Sequence, residues 1–140
     1  MRAFIDTSTL IKKYQEEPGR DKFLETLEKI DEIVVSPVTY IELFCSIQRN
    51  CEEAHVSPKN LLKFKEEIDL DFGYFFKIPL NADLERAAFD LRQKYQLKSL
   101  DLIQLPSAKI AQAKIFITSD KFLYKIARQE FKHTEVELIT

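Results

Sequence analysis

No run of strictly apolar residues in this chain exceeds three. The runs Ala3-Phe4-Ile5, Ile33-Val34-Val35 and Ile115-Phe116-Ile117 have the length of buried strands, and the segments between them carry apolar side chains at helical spacing. Short apolar strands alternating with helices predict a parallel sheet with helices on its faces, because a parallel connection needs a crossover and the crossover helix lies on the sheet. The same pattern offers no membrane span and no signal-peptide core, so a cytoplasmic protein without membrane contact is expected. With 140 residues, 45% hydrophobic and 31% charged, the chain can bury one core and has little room for a second. Residues 1–140 are therefore read as one domain.

Arg2–Asp6 reads as the first strand, and a short helix capped by Ser8 or Thr9 runs to about Tyr14, where Glu16-Glu17-Pro18-Gly19 stops it. A second helix over 20–31 sets Phe23, Leu24, Leu27 and Ile30 in one stripe. Glu32–Ser36 is the next strand, and Ser36-Pro37 places a cap and a first-turn proline at the start of a helix reaching about Glu53. Pro58 opens another helix to about Asp69, and Tyr74–Ile78 reads as a strand. Leu84, Ala87, Ala88, Leu91 and Tyr95 mark a further helix, and Ser99 caps the one beginning at Asp101. Ile115–Thr118 is a strand, Asp120–Gln129 a helix and Val136–Ile139 a last strand. The sum is a three-layer α/β domain with a small central parallel sheet flanked by helices.

Composition narrows the chemistry. Only Gly19 and Gly73 are glycine, which excludes the glycine-rich loops that bring backbone N–H groups onto a pyrophosphate. His55 and His133 are the two histidines, and neither belongs to a zinc motif or to an arrangement with a nucleophile. Cys45 and Cys51 fall on different faces of one helix and read as reduced, structural thiols. The net charge is −2, with acids in excess over residues 1–90 and bases in excess after them. The remaining chemistry belongs to carboxylates.

A carboxylate set among apolar residues needs a cation, a donor or a raised pKa. Asp6, Glu42, Asp69, Asp71, Asp90, Asp101 and Asp120 have apolar neighbours or strand-end positions. Asp69, Asp71 and Asp90 suit helix faces or ends and are read as structural. Asp6 and Asp120 follow strands, Glu42 lies in the second turn of a helix just past a strand, and Asp101 starts a helix. All four can meet at the sheet edge where open α/β proteins build their sites. A site of oxygen donors without His or Cys points to Mg²⁺ or Mn²⁺, and such sites commonly serve phosphoryl chemistry. Lys12, Lys13, Lys121 and Lys125 lie within one or two helical turns of these acids and are the candidates for phosphate contacts.

Four segments carry a resemblance: Phe4-Ile5-Asp6-Thr7-Ser8, Ser36-Pro37-Val38-Thr39-Tyr40-Ile41-Glu42-Leu43, Leu100-Asp101-Leu102-Ile103-Gln104-Leu105 and Thr118-Ser119-Asp120-Lys121. In order and spacing they resemble the acidic blocks of PIN domains, and in particular the VapC-type toxins of prokaryotic toxin–antitoxin pairs. The resemblance implies a Mg²⁺- or Mn²⁺-dependent endoribonuclease that cuts single-stranded or loop RNA, forms a homodimer and is held inactive by a small antitoxin protein. By position it makes Asp6, Glu42, Asp101 and Asp120 the catalytic and metal-holding acids. Thr7, Ser8, Thr118 and Ser119 become the hydroxyls that orient them. The chain departs from its relatives at Gln104, where many have His, and at Pro106, which is expected to kink the Asp101 helix. Two alternatives stay open: a non-catalytic PIN-like scaffold that binds RNA or protein, and an RNA-processing nuclease outside a toxin–antitoxin pair. A phosphoaspartate phosphatase would need an acid where Ser8 stands, and a response receiver would need an acidic pair before the end of the first strand.

Overall fold

The computed structural model describes residues 1–140, and in it the three apolar runs form the centre of one sheet. The strands are β1 (Arg2–Ile5), β2 (Glu32–Val35), β3 (Phe76–Lys77), β4 (Ile115–Thr118) and β5 (Glu135–Leu138). The helices are α1 (Thr7–Leu10), α2 (Arg20–Leu27), α3 (Thr39–Glu53), α4 (Pro58–Phe72), α5 (Ala82–Lys94), α6 (Asp101–Ala111) and α7 (Lys121–Glu130). Every pairing is parallel, in the order β3-β2-β1-β4-β5, with Phe4 opposite Val34 on one side and Phe116 on the other.

Successive strand residues point to opposite faces, and here both faces are dry. Ala3, Ile5, Val35, Ile115 and Ile117 pack against Leu10, Phe23, Leu43, Ile47 and Ile68 from α1 to α4. Phe4, Val34 and Phe116 pack against Leu91, Leu105, Leu123 and Ile126 from α5 to α7. The Phe4 and Phe116 rings stack with centres 5.7 Å apart. Each fully buried large side chain contributes about 1.5–3 kcal/mol, so covering both faces is what holds this small sheet together. No helix is long and apolar enough to cross a membrane.

The strand order creates the site. From β1 the chain builds β2 and β3 to one side and then returns to lay β4 and β5 on the other. After β1 it passes to α1 on one face, and after β4 to α7 on the opposite face, so the connections diverge between the ends of β1 and β4. This is the switch point at which open parallel sheets bind ligands. The residues delivered there are Asp6 on one side and Ser119 and Asp120 on the other.

Several boundaries move relative to the sequence reading. Asp6, rather than Ser8 or Thr9, occupies the N-cap position of α1, and the helix tightens into a 3-10 turn at Ile11–Lys13. Helix α3 begins at Thr39 rather than Pro37, because the Ser36 and Thr39 hydroxyls bond each other at 2.8 Å and Ser36 Oγ also accepts the Val38 N–H. Helix α2 stops at Leu27, and β3 keeps only two residues, although the Ile78 N–H still reaches the Val35 carbonyl. Leu100 rather than Ser99 precedes α6, which continues unbroken to Ala111 with Pro106 buried inside it. Leu105 and Ala108, on either side of Pro106, lie in the core with Leu91 of α5, and that burial holds the turn that lacks the proline's N–H. Gly19 precedes α2 with φ 89°, a left-handed conformation in which a side chain would also collide with the Thr140 backbone at 2.9 Å.

Candidate active site

Asp6 is the most confined of the four acids, 5% exposed at the end of β1. Its Oδ2 accepts from the Ser8 hydroxyl at 2.6 Å and the Thr118 hydroxyl at 2.9 Å. Burial pushes its carboxyl up from 3.8 to about 6; the two hydroxyls partly offset this, and the carboxylates of Glu42 and Asp101 add to it. Thr118 also accepts the Asp120 N–H at 3.1 Å, so one hydroxyl ties the end of β1 to the start of α7. Ser8 Oγ accepts the Ser119 N–H at 3.0 Å, and the Ser119 hydroxyl pairs with that of Thr9. Ser119 therefore acts on the acids only through Ser8.

Glu42 projects from the first turn of α3 and is half-buried. Its Oε1 accepts from the Thr7 hydroxyl at 3.0 Å and from Gln104 Nε2 at 2.8 Å. Gln104, buried on α6, also donates to Thr7 Oγ1 at 3.1 Å and lies within 3.4 Å of Thr39 Oγ1. The sequence reading marked Gln104 only as a departure, yet it is the group that joins α6 to α3 and α1 at the site.

Asp101 opens α6, and no protein donor reaches either of its oxygens; burial raises its carboxyl, as do the Asp120 and Glu42 carboxylates, while Lys98 opposes them. Asp120 is the N-cap of α7, and its Oδ1 accepts the N–H groups of Phe122 and Leu123 at 2.9 and 3.0 Å.

Asp6 thus lies within electrostatic range of Glu42 and Asp101, and Asp101 of Glu42 and Asp120, but no three of the four stand close enough to enclose one ion. The sequence reading let all four meet at one sheet edge around a single ion. The difference has a physical reason: Asp6, Glu42 and Asp120 are each drawn to their own donors, and like charges separate when nothing lies between them. The donor set nonetheless suits a hard divalent cation. Asp6 Oδ1, Glu42 Oε2, Asp120 Oδ2 and both Asp101 oxygens are free of protein donors, and no ion pair involves any of the four. Mg²⁺ keeps several waters and takes one or two carboxylates directly, so it does not require a closed protein cage.

The lysine candidates divide. Lys12 is buried and faces Glu17 at 3.5 Å, and Lys13 is held by Asp71, so local and long-range acids remove both from the rim. Lys121 and Lys125 are exposed and unpaired just beyond Asp120. Lys98, absent from the sequence candidates, lies close enough to Asp101 to affect its charge. Asp71 also accepts from the Tyr14 hydroxyl, and Asp69 from Tyr40 and Lys65, while Asp90 lies on the exposed side of α5. The largest surface depression, around Tyr14, Glu17, Asn50, Cys51 and Phe64, contains none of the four acids.

The sequence pattern of the PIN domain family matches residues 3–129. No curated protein matches the chain. Among solved structures, the chain is similar to a toxin–antitoxin complex from Klebsiella pneumoniae, with 22% identity over 84% of this chain and 86% of that one and a TM-score of 0.63. It is similar to VapBC2 from Rickettsia felis bound to a promoter DNA fragment, with 18% identity over 100% of both chains and a TM-score of 0.65. It is also similar to VapC20 from Mycobacterium tuberculosis, a sarcin-ricin-loop-cleaving toxin, with 13% identity over 95% of this chain and 98% of that one and a TM-score of 0.70. At these identities the structural likenesses speak for the fold alone. With the family's pattern running from β1 through almost all of α7, the chain belongs to the PIN domain family.

Proposed function

We propose that this chain is a Mg²⁺- or Mn²⁺-dependent endoribonuclease, the toxin of a VapBC-type pair, acting in the cytoplasm as a homodimer held inactive by a small antitoxin. One observation carries the reading: four carboxylates gather around the sheet's switch point within electrostatic range of Asp101 or Asp6, each with an oxygen that no protein group engages and none in an ion pair. Such an arrangement is costly unless a cation joins it. The similar toxins and toxin–antitoxin complexes support the partner and substrate parts of the proposal.

Asp6, Glu42, Asp101 and Asp120 are the residues that would hold the ion. When bound, a divalent ion there supplies Lewis acidity for phosphodiester hydrolysis, activating water and offsetting the charge that develops on the phosphate. The protein's part is orientation. Ser8 and Thr118 fix Asp6, Thr7 and Gln104 fix Glu42, and Ser119 holds Ser8 in place. Lys121 and Lys125 stand beyond Asp120 as contacts for RNA phosphates.

The test is incubation of the purified protein with total RNA in Mn²⁺ and in EDTA, with cut sites mapped. Ion-dependent cuts that disappear in Asp6→Asn are expected. Cutting at the wild-type rate by Asp6→Asn would end the nuclease reading. For the toxin role, the neighbouring reading frame is expected to encode a short, basic, DNA-binding-type protein whose addition blocks cleavage; cleavage untouched by that product sinks the role.

A further inference from the structure

The C-terminal half of the sheet's second face carries a charged feature that the acid site does not use. Lys121, Lys125 and Arg128 recur at helical spacing along one side of α7, and together with Tyr124, Gln129 and Leu138 they line an open depression between that helix and the end of β5. A second depression, lined by Tyr124, Arg128, Phe131, Thr134 and Val136, shares two of those residues and continues the groove along the strand. No carboxylate lines either one. The strand's alternation explains this: Val136 and Leu138 face the groove, which turns Glu135 and Glu137 to the other side of the sheet.

The three cations are also free. None takes part in an ion pair, whereas Lys12, Lys13, Arg20, Lys94 and Lys109 are all committed to acids. Arg128 lies against Tyr124, whose ring centre is 5.7 Å from its guanidinium carbon. The groove begins at Lys121, one residue past Asp120, and by the helix rise Arg128 lies about 10 Å further on. An unpaired row of cations beside an aromatic ring, in a channel without acids, fits a phosphate chain better than a protein surface of mixed charge.

We propose that the α7–β5 groove binds the backbone of a single-stranded RNA and leads it away from the acid site on the Asp120 side. This rests on the nuclease reading above and adds to it a strand path. The contacts are to phosphate, so binding along the groove is independent of base sequence, and any base preference arises elsewhere.

The experiment measures binding of a fluorescent, unstructured RNA 12-mer to the full chain in EDTA, across a series of NaCl concentrations. Replacing Lys121, Lys125 and Arg128 together by alanine is expected to weaken binding at least about tenfold at low salt. It is also expected to reduce the slope of log K against log [salt] by about 2, since each single-strand phosphate contact contributes about 0.7. A charge-matched control, with Lys22, Lys59 and Lys63 on α2 and α4 replaced by alanine, is expected to keep the wild-type slope. Thermal melts of both variants establish that each is folded. A wild-type slope in the groove variant, or an equal loss in the control, overturns the proposal. Cleavage in Mn²⁺ is scored separately: RNA that is cut but bound without regard to α7 refutes the groove alone. RNA that is held through α7 but never cut refutes the nuclease reading and leaves the groove standing.

Discussion

Asp6 and Asp120 occupy the same kind of position: each follows a buried strand and stands at the N-cap of the next helix. Asp120 is used by its helix, accepting two N–H groups with one oxygen. Asp6 caps nothing; its carboxylate turns from α1 to the hydroxyls of Ser8 and Thr118 and is almost fully enclosed. The four-residue α1 is covered by the core of the first face and does not depend on a cap, whereas the ten-residue α7 is exposed along one side and does. Two aspartates that look equivalent in sequence thus differ in use: one stabilises a helix and the other is held, at a cost, with an oxygen directed elsewhere.

The largest expected consequence is in activity. Asp6→Asn is expected to lower metal-dependent RNA cleavage by more than about a hundredfold, since changing even the partners of a metal-holding group costs about 10–100-fold. Asp120→Asn spends its one oxygen on the cap and turns an NH2 to the site, but Asp120 is less enclosed than Asp6, and its loss is expected to be smaller. Initial rates in Mn²⁺ for the two variants check this, and equal losses would erase the distinction between the two junctions.

Stability against pH separates them further. The Asp6 carboxyl sits at about 6 in the folded chain against 3.8 when unfolded, so the folded state binds this proton more tightly. Its contribution is most favourable below the unfolded value. It declines as pH rises through about 6, by about 3 kcal/mol in the absence of a divalent ion. In EDTA, Asp6→Asn is therefore expected to be more stable than wild type by about 1–3 kcal/mol at pH 8, with the difference vanishing below about pH 4. Urea denaturation across that range measures it. Adding Mn²⁺ is expected to raise the melting temperature of wild type and not of the variant.

Thr118 is the hydroxyl that both junctions share, donating to Asp6 and accepting from the Asp120 N–H. Thr118→Val keeps the shape and removes both bonds. Cleavage is expected to fall about 10–100-fold, with Asp6 titrating still higher because one of the donors that favours its charged form is gone. A pH–rate profile reads that shift, and an unchanged profile would mean that Thr118 only fills space.

The same contrast shows how much could be read beforehand. Strands β1, β2 and β4 follow from their apolar runs, and Asp6 and Asp120 are conspicuous because each is the first charge after such a run, Asp6 at once and Asp120 after Thr118 and Ser119. Those are local signals. The loss of Lys12 to Glu17 and of Lys13 to Asp71 was hidden, the latter because its partner lies 58 residues away. Gln104 was recognisable as an unusual residue, but its bonds to Glu42 and Thr7 span 62 and 97 residues and exist only once α6 crosses the sheet. The start of α3 was misplaced for a different reason: Ser36 bonds the Thr39 hydroxyl instead of capping a helix at Pro37. Side-chain competition of this kind leaves no periodic trace.

The smallest expected effect tests the capping half of the comparison directly. Asp120→Ala removes the acceptor for the Phe122 and Leu123 N–H groups and is expected to cost about 1 kcal/mol, while Asp120→Asn, an equally good cap, is expected to be nearly neutral. At the other junction the order is reversed. Asp6→Asn is expected to be stabilising at pH 8, and no cap is at stake, because the Thr9 and Leu10 N–H groups are served by the Asp6 backbone carbonyl rather than its side chain. Chemical denaturation of these three variants at pH 8 in EDTA therefore has a signature with opposite signs at two positions of identical local grammar. If Asp120→Asn were as stabilising as Asp6→Asn, relief of shared negative charge would be the common cause, and the distinction between a capping and a held carboxylate would fail.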